Sequence, residues 1–351
     1  MRAPSKHDVI AAGFRLVAAS RADRWLRPVA RGRGLILMFH HVRPARVDPF
    51  QPNALLEITP EHLDRTLTLV REGGFDLVGM DDVPARLAGE GERPFVALTF
   101  DDGYRDNAEH AQPVLRRHGA PWTMFVTSDY ASGGGHLWWL ELEEAVRRAD
   151  RLVLPGGEGI RQWPARTAAE KRDAFAGAYA ILRAGPEERL RAAVAGWCAE
   201  FGIDGAAMVR DLCLGWDEIA DLARDPAVTI GAHTISHPML AKHDEGTAWL
   251  EIEGGRLAIA ERLGTAPRHL AYPVGDPTSA GPREFRLARE AGFATAVTTR
   301  PGHLFAEHGS ELAALPRVSV NGLHQNADAV RALLSGVPFL LWNRGRRLNV
   351  A

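Results

Sequence analysis

The sequence has few cysteines and almost no excess of charge. Only Cys198 and Cys213 occur among 351 residues, without the spacing of a metal site or the density of a disulfide framework. We therefore expect both to be ordinary buried or half-buried thiols. Lysine and arginine together number 42 against 44 acidic residues, so the net charge is −2. This balance gives no excess of positive charge of the kind that binds nucleic acid, and no nucleic-acid partner is expected.

Long apolar runs are also missing. No stretch approaches the ~20 apolar residues of a membrane-spanning helix, and the apolar stretch 9–19 is interrupted by Gly13 and Arg15. It also lacks the clean apolar core and small-residue cleavage site of a secretory signal. The sequence predicts no signal peptide, no membrane span and a cytoplasmic location. Residues 1–32 are basic and predict an amphipathic helical segment, packed on the domain or in peripheral contact with an anionic membrane.

A regular alternation of short apolar strands and helical segments runs along the chain. The predicted strands are 35–40, 95–100, 122–127, 228–232, 269–272, 294–298 and 315–320. The predicted helices include 60–73, with Thr59 as its N-cap, and also 216–223 and 247–263. Strands that alternate with helices pair in parallel, and seven such units indicate an α/β barrel.

Two carboxylates stand side by side where one predicted strand ends. Asp101 and Asp102 follow strand 95–100, and Gly103 lets the backbone turn. An unpaired buried carboxylate is very costly, so a metal ion is the natural partner. Adjacent residues of a strand point in different directions, which allows one Asp to bind the metal while the other stays free as a base.

Two histidines follow another predicted strand. His233 and His237 come directly after strand 228–232, and two residues four apart can face one point from a helical turn or a tight loop. With Asp102 they supply three N and O ligands and leave a position open for water, as in catalytic zinc sites. Thr234 stands where the metalloprotease helix motif has Glu. The general base must therefore come from elsewhere, and Asp101 is the candidate.

Three motifs occur in a fixed order: TFDDG at 99–103, HTISH at 233–237 and AYPVGD at 271–276. Together they resemble the polysaccharide deacetylase family, also called NodB-homology or carbohydrate esterase family four enzymes, which includes chitooligosaccharide deacetylases. The segment ILMFHHV at 36–42 resembles the first strand of many members. The resemblance covers roughly residues 33–325. It implies a distorted (β/α)7-type barrel with its site at the carboxyl ends of the strands.

The resemblance also implies an activity and a set of site residues. The activity is metal-dependent removal of N-acetyl groups from amino sugars of an oligo- or polysaccharide, most simply with Zn²⁺. Asp101 would be the base, and the metal ligands would be Asp102, His233 and His237. The residues expected to contact substrate are Tyr104, Tyr272, Pro273 and His41.

The chain departs from the family pattern at two places. Many members carry an Arg that orients the base where this chain has Ala271, and the geometry of the barrel rim suggests Arg317 as its catalytic replacement. The family's Leu-x-His motif on the last strand is also missing, because the segment here is LPRVSV. The general acid is therefore unassigned, and its candidates are His41, His303 and His324. His40 would share the rim with His41, and either could instead be structural.

One region breaks the alternation of strands and helices. Between Asp102 and His233 lie 130 residues, far more than two strand–helix units need. We expect a helical insertion at about 132–212 within a barrel of residues 33–325, followed by a C-terminal helix and basic tail at 326–351. Trp138 and Trp139 in the insertion either stack on sugar or fill the insertion's own core.

Two further functions stay open at this point. A carbohydrate O-acetyl esterase would use the same metal and base with a different leaving group. A non-catalytic carbohydrate-binding protein would keep the fold but not the reaction, which the intact Asp and His set argues against. The sugar, its chain length and the oligomeric state do not follow from the sequence.

Overall fold

The fold was analysed in a computed structural model that describes residues 6–155 and 159–350. The strands are β1 (Gly34–Phe39), β2 (His41–Val42), β3 (Glu57–Ile58), β4 (Asp76–Val78), β5 (Phe95–Phe100), β6 (Trp122–Val126), β7 (Arg151–Leu154), β8 (Arg161–Pro164), β9 (Val228–Ala232), β10 (His269–Ala271), β11 (Thr295–Pro301) and β12 (Leu315–Ser319). The seven predicted strands are all present, and their ends agree with the prediction to within three residues.

The helices alternate with these strands. They are α1 (Lys6–Ser20), α2 (Ala22–Trp25), α3 (Arg27–Ala30), α4 (Pro60–Glu72), α5 (Val83–Ala88), α6 (Gln112–Arg117), α7 (Ser128–Ala131), α8 (Trp138–Arg148), α9 (Ala168–Ala184), α10 (Glu187–Phe201), α11 (Gly205–Leu212), α12 (Trp216–Leu222), α13 (Glu245–Leu263), α14 (Pro282–Glu290), α15 (Ala327–Ser335) and α16 (Val337–Trp342). Thr59 caps α4 as predicted, because its side chain accepts a hydrogen bond from the His62 amide.

One parallel sheet closes on itself. β1 pairs with both β5 and β12, and the sheet runs on through β11, β10, β9 and β6 back to β5. β4 pairs with the first half of β5 and β6 pairs with the second half, so both lie on the same side of β5. Seven strands therefore close the barrel, and the predicted (β/α)7-type fold is confirmed.

Both faces of the barrel wall are buried. Every residue of β1 and of β5 is buried, as expected for parallel strands covered by helices on one side and by the barrel interior on the other. The interior is filled by apolar side chains from several strands, including Ile36, Ala97, Phe125, Ala271, Val297 and Leu315. A larger apolar layer lies between the strands and the surrounding helices. The interior is thus packed, and only its rim can hold a site.

The segment predicted as a helical insertion contains α8 to α11. It also contains the antiparallel hairpin β7–β8, in which Leu152 lies opposite Trp163, and the sequence pattern did not indicate this hairpin. Apolar side chains of these elements form a second core of their own. Trp138 and Trp139 lie in that core, edge to face at 5.7 Å. The boundaries of the insertion and of the terminal segments remain a prediction.

The structure also bears on the two cysteines and on membrane-spanning helices. Cys198 and Cys213 are free thiols, half-buried and buried respectively, as predicted. Within residues 6–155 and 159–350, no single helix has the length and apolar character needed to cross a membrane. The bent pair α10 and α11 meets that test only when the two helices are taken together.

Replacing Trp138 tests whether the segment 132–212 is packed by its tryptophans. Trp138 is 3% exposed, so Trp138→Ala should lower the free energy of unfolding by about 3–5 kcal/mol. Trp25→Ala is the matched control, because Trp25 is 64% exposed and its loss should change stability little. Denaturant unfolding of both variants measures the difference. Equal stability of the two variants would show that Trp138 does not serve the core.

Candidate active site

Chemically active side chains meet at the carboxyl ends of the barrel strands. Asp101 follows β5, His40 follows β1 and His233 follows β9. Phe39 pairs with Phe100 in the β1–β5 register, so the next residues along the two strands, His40 and Asp101, face each other at the rim. The parallel barrel therefore brings together residues that are far apart in the sequence.

Asp102, His233 and His237 converge on one point. The Nε2 atoms of both histidines lie 3.4 Å from Asp102 Oδ1, and one ligand atom from each residue lies within 4.8 Å of the others. All three side chains are buried, yet Asp102 Oδ1 has no hydrogen-bond partner. Because a buried carboxylate oxygen without a partner is unfavourable, this arrangement favours a cation among the three groups.

The spacing of these groups matches a tetrahedral metal site. Bonds of about 2.0–2.1 Å from a metal to nitrogen and oxygen place tetrahedral ligand atoms roughly 3.3–3.4 Å apart. The observed Nε2–Oδ1 separations of 3.4 Å agree with that value. Three side chains leave a fourth position open. The residues present therefore fit a metal ion, and their geometry alone does not define which ion it is.

Hydrogen bonds and packing orient the two histidines. His233 Nδ1 lies 2.7 Å from the Ala271 carbonyl oxygen. Since a carbonyl can only accept, Nδ1 carries the hydrogen and the Nε2 lone pair faces Asp102. The His237 ring packs 5.0 Å from the ring of Trp139, which belongs to the inserted segment. Ala271 thus contributes its carbonyl at the position where many relatives have the orienting Arg.

Asp102 is held in its charged form. Burial alone would raise the pKa of its carboxyl, but hydrogen bonds and positive charge from His233 and His237 in their protonated form outweigh burial and keep the pKa well below its usual value. A carboxylate binds a metal only when it is ionised. The electrostatics of the site therefore favour the ligand form of Asp102 at neutral pH.

Backbone strain is concentrated in the loops of this site. Asp102, Thr234, His237 and Val274 have φ values between 60° and 71°, in the left-handed region. They make up four of the six non-glycine residues with positive φ in the described part of the chain. Such conformations cost of order 1–3 kcal/mol each and persist only where the surroundings enforce them. The loop conformation is therefore maintained by contacts with other parts of the molecule.

Two carboxylates, Glu251 (half-buried) and Glu187 (buried), hold the loop that carries His237. Glu251 on α13 accepts hydrogen bonds from the amide and the hydroxyl of Ser236, at 2.9 and 2.7 Å. Glu187 on α10 accepts from the Met239 amide at 2.6 Å. Arg191, one helical turn after Glu187, pairs with it and donates to the Ser236 carbonyl at 3.2 Å. The inserted segment is thus bound directly to the loop of the candidate metal site.

Arg317 forms a bidentate salt bridge with Asp101. Its Nη1 and Nη2 donate to Asp101 Oδ1 and Oδ2, both at 2.7 Å, and its Nε donates to the Thr298 carbonyl at 2.9 Å. Burial alone would raise the pKa of Asp101, but the charge and hydrogen bonds of Arg317 outweigh burial and lower it. The structure brings together the pair that we expected from the barrel rim. Its catalytic role remains a prediction.

The sequence places His40 on the rim but gives it no role in the reaction, and the structure brings it close to Asp101. Its Nε2 lies 4.0 Å from Asp101 Oδ2, and its side chain is 16% exposed. His41 points elsewhere, because its Nδ1 lies 2.6 Å from Asp106 Oδ2 and its ring stacks on Tyr104 at 3.6 Å. The signal that identifies His40 is its position one residue beyond a strand that pairs in register with β5.

Three of the predicted substrate contacts, Tyr272, Pro273 and Tyr104, have buried side chains. The Tyr272 side chain is fully buried, packs on Phe285 and donates its hydroxyl to the Ala313 carbonyl at 2.8 Å. Its ring fills the layer behind the barrel wall and is not available to a substrate. Pro273 lies on the rim loop but is also buried. The Tyr104 ring is buried as well, although its hydroxyl has no hydrogen-bond partner.

Two candidates for the general acid lie away from Asp101. His303 Nε2 lies 2.8 Å from the Leu333 carbonyl oxygen, and His303 precedes Leu304, which pairs with Gly34 at the start of β1. Because a carbonyl can only accept, His303 is the donor in this contact. It therefore sits at the opposite end of the barrel. His324 is covered by α1, where its ring contacts the ring of Phe14. His303 therefore cannot reach the site, and its prediction as the general acid is wrong, whereas His324 packs against α1 and stays an untested candidate.

The fold and the site now place the chain among known proteins. Its structure is similar to Streptococcus pyogenes deacetylase PplD, at 17% identity and a TM-score of 0.54, over 82% of this chain and 92% of that one. IcaB from Ammonifex degensii is similar at 17% identity and a TM-score of 0.54, over 87% and 97% of the two chains. A de-N-acetylase from Aggregatibacter actinomycetemcomitans gives 13% identity and a TM-score of 0.53, over 86% and 99%. The barrel therefore has the same fold as these proteins.

A family model completes the assignment. Residues 88–153 and 171–296 match the model described as polysaccharide deacetylase, and these ranges include the motifs at 99–103, 233–237 and 271–276. The chain belongs to the polysaccharide deacetylase family. No curated protein sequence matches it.

Metal content tests the three ligands. The purified chain should bind one divalent ion, and His233→Ala should lower its metal affinity by at least about a hundredfold, because even outer contacts of a ligand contribute 10–100-fold. His303→Ala is the control, since it removes an equally buried histidine at the other end of the barrel. Elemental analysis after dialysis measures retention. Full metal content in His233→Ala would refute the assignment of this ligand.

Proposed function

We propose that this protein is a zinc-dependent hydrolase that removes N-acetyl groups from the amino sugars of an oligo- or polysaccharide. The observation that carries the proposal is the geometry at the rim. A three-ligand set with an open fourth position lies directly beside a carboxylate that Arg317 holds in place. Family membership supports the substrate class.

The donor set favours zinc among the common metals. Two imidazole nitrogens and one carboxylate oxygen, with one free position, are the ligands of many catalytic zinc sites. Zinc bound there would polarise the acetyl carbonyl and lower the pKa of a coordinated water toward ~7. The remaining steps fall to the side chains around it.

Asp101 is proposed as the general base. Arg317 occupies one lone pair on each carboxylate oxygen and leaves others free to accept a proton. Its lowered pKa keeps Asp101 ionised at neutral pH, as a base requires. The fork also fixes the plane of the carboxylate, so that no rotation is needed when the proton arrives.

His40 is proposed as the group that protonates the leaving nitrogen. It is the histidine whose free Nε2 lies on the rim close to Asp101, whereas His41 is engaged with Asp106. In the complete reaction the oxygen of water joins the acetyl carbon, and the carbon–nitrogen bond breaks. Asp101 takes a proton from water, and His40 delivers one to the nitrogen. The products are acetate and a free amine.

The names of similar structures agree with this reaction. The Aggregatibacter actinomycetemcomitans protein is described as a de-N-acetylase, and the Streptococcus pyogenes deacetylase was solved with acetate. Acetate is the product expected from the proposed reaction. The geometry of the site does not favour one sugar over another.

Release of acetate from N-acetylglucosamine oligomers tests the function. The metal-loaded protein should release acetate and an equal amount of free amine, and a chelator should stop the reaction. Asp101→Asn should lower turnover by roughly 10²–10⁴-fold while retaining metal, because the amide cannot accept the proton. Asp102→Asn should lose metal as well. Release of acetate from O-acetylated sugars alone would replace the proposal by an esterase, and binding without release would indicate a non-catalytic protein.

The pH profile of Arg317→Lys tests the role of the fork. Lysine cannot supply two parallel hydrogen bonds, so the pKa of Asp101 should rise toward its ordinary value. Because the base works only when ionised, the acid limb of kcat/KM should move to higher pH, and kcat should fall at constant metal content. Arg300→Lys is a control, since Arg300 is also buried but bonds a carbonyl. An unchanged acid limb in Arg317→Lys would exclude Arg317 from this role.

A further inference from the structure

Large apolar side chains are exposed on the helices at the two ends of the chain. We call this region the terminal helical surface, and it is defined by Val9, Leu16, Trp25, Val29, Leu341 and Trp342. α1, α2 and α16 pack on α15, and α3 adjoins α2 and α16; a small apolar cluster that contains Ala22, Ala30 and Val337 joins these helices. The exposed apolar groups therefore belong to one contiguous part of the molecule.

The outward side of α1 is unusual for a helix in water. Its inner side packs through Phe14 and Val17, which are half-buried. Its outer side carries Val9 and Leu16, which are 59% and 69% exposed. A surface helix normally places polar residues outward, and a helix that is apolar on both sides requires a second apolar partner.

Positive charge is concentrated in the same region. Residues 6–33 contain seven Lys and Arg residues and two Asp residues, and residues 337–350 contain three Arg residues and no acid. The whole chain has a net charge of −2, so the rest of the molecule is acidic. This asymmetry indicates a partner that is negatively charged and meets only these helices.

An arginine-lined cavity of about 640 Å³ lies beside these helices. Its charged lining consists of Arg24, Arg27, Arg31, Arg33, Arg86 and Arg93 with Glu90 and Glu92. Arg86 and Arg93 pair with Asp76, whereas Arg24 and Arg31 form no ion pair with the described residues. Burial and the charge of Arg27 lower the pKa of Arg31 to about 10. The negative charge of a bound anion would offset both the burial of Arg31 and its repulsion by Arg27, so the cavity suits a phosphate group.

We propose that the terminal helical surface docks on an anionic lipid bilayer, with its apolar side chains in the interface and phosphate headgroups at the arginine-lined cavity. Tryptophan is enriched at membrane interfaces, where Trp25 would lie. Helices that combine exposed apolar side chains with arginine are typical of proteins that lie on anionic membranes. This inference goes beyond the proposed function and does not depend on it.

Other partners fit the surface less well. A nucleic acid would satisfy the arginines but would leave Leu16, Val29 and Leu341 without an apolar environment. A second copy joined by two-fold symmetry would bring the same surface onto itself and would place arginine against arginine. The bilayer satisfies both the charge and the apolar exposure.

Docking in this way leaves the candidate active site accessible. The cavity is lined by Arg33 and Pro94, which precede β1 and β5, whereas His40 and Asp101 follow the same strands. The cavity and the site thus lie at opposite ends of the barrel. A polysaccharide could reach the rim while the protein is bound to a membrane.

Sedimentation with lipid vesicles tests the proposal on the full chain. We expect binding to vesicles of phosphatidylcholine mixed with phosphatidylglycerol, little binding to phosphatidylcholine alone, and release at high salt. The double variant Arg24→Ser with Arg31→Ser should weaken vesicle binding roughly thirtyfold, because each arginine near an anionic surface contributes about a factor of five. Arg161→Ser, on the exposed hairpin strand β8, is the control for charge.

A second pair of variants tests the apolar contribution with matched leucines. Leu16→Ser should weaken vesicle binding, whereas Leu250→Ser on α13 should not, although the two leucines are 69% and 66% exposed. Thermal unfolding confirms that all variants fold. Equal binding to both vesicle types, or equal binding by Leu16→Ser and wild type, would overturn the proposal. The proposal would also fail if the protein bound inorganic phosphate or nucleic acid but not vesicles. It would fail as well if the protein formed a dimer that Leu16→Ser dissociates.

Discussion

Two adjacent carboxylates are buried at the end of β5, and the rest of the site follows from the need to compensate their charge. Arg317 reaches across the barrel to neutralise Asp101 with two hydrogen bonds. Asp102 faces only the imidazoles of His233 and His237, and its Oδ1 has no hydrogen-bond partner. One carboxylate is therefore compensated within the protein, whereas the other is placed to bind an added cation. This difference is the basis on which we propose Asp101 as the base and Asp102 as the metal ligand.

The geometry around Asp102 is maintained from outside the barrel. Asp102, Thr234 and His237 hold left-handed backbone conformations that are unfavourable in isolation. Glu251 of α13 and Glu187 of α10 bind the intervening loop through its amides. Glu187 lies in a segment that the barrel itself does not need, together with Trp139 beside His237. The added helices thus serve to keep the ligands in place, in addition to packing their own core.

Much of this fold could be predicted from apolar runs, because parallel strands buried on both faces are continuous in hydrophobicity. A continuously apolar strand does not show which face of the sheet each side chain occupies. Tyr272 was therefore predicted on the rim, although it packs between the barrel strands and the outer helices. The Arg317–Asp101 contact could be anticipated, since both residues belong to strand ends at one rim. His40 required the register of β1 and β5, which a single sequence does not reveal. The hairpin β7–β8 is short and largely exposed, and it carries no strong pattern.

The central claim is that Asp102, His233 and His237 form one zinc site with an open position. X-ray absorption at the zinc edge of the reconstituted protein tests it most directly, because the spectrum reports the atoms bound to the metal. The account predicts four nearest neighbours at about 2.0–2.1 Å, with the signature of two imidazole rings and the remainder oxygen. Six oxygen neighbours without imidazole, or a sulfur neighbour from Cys213, would contradict it.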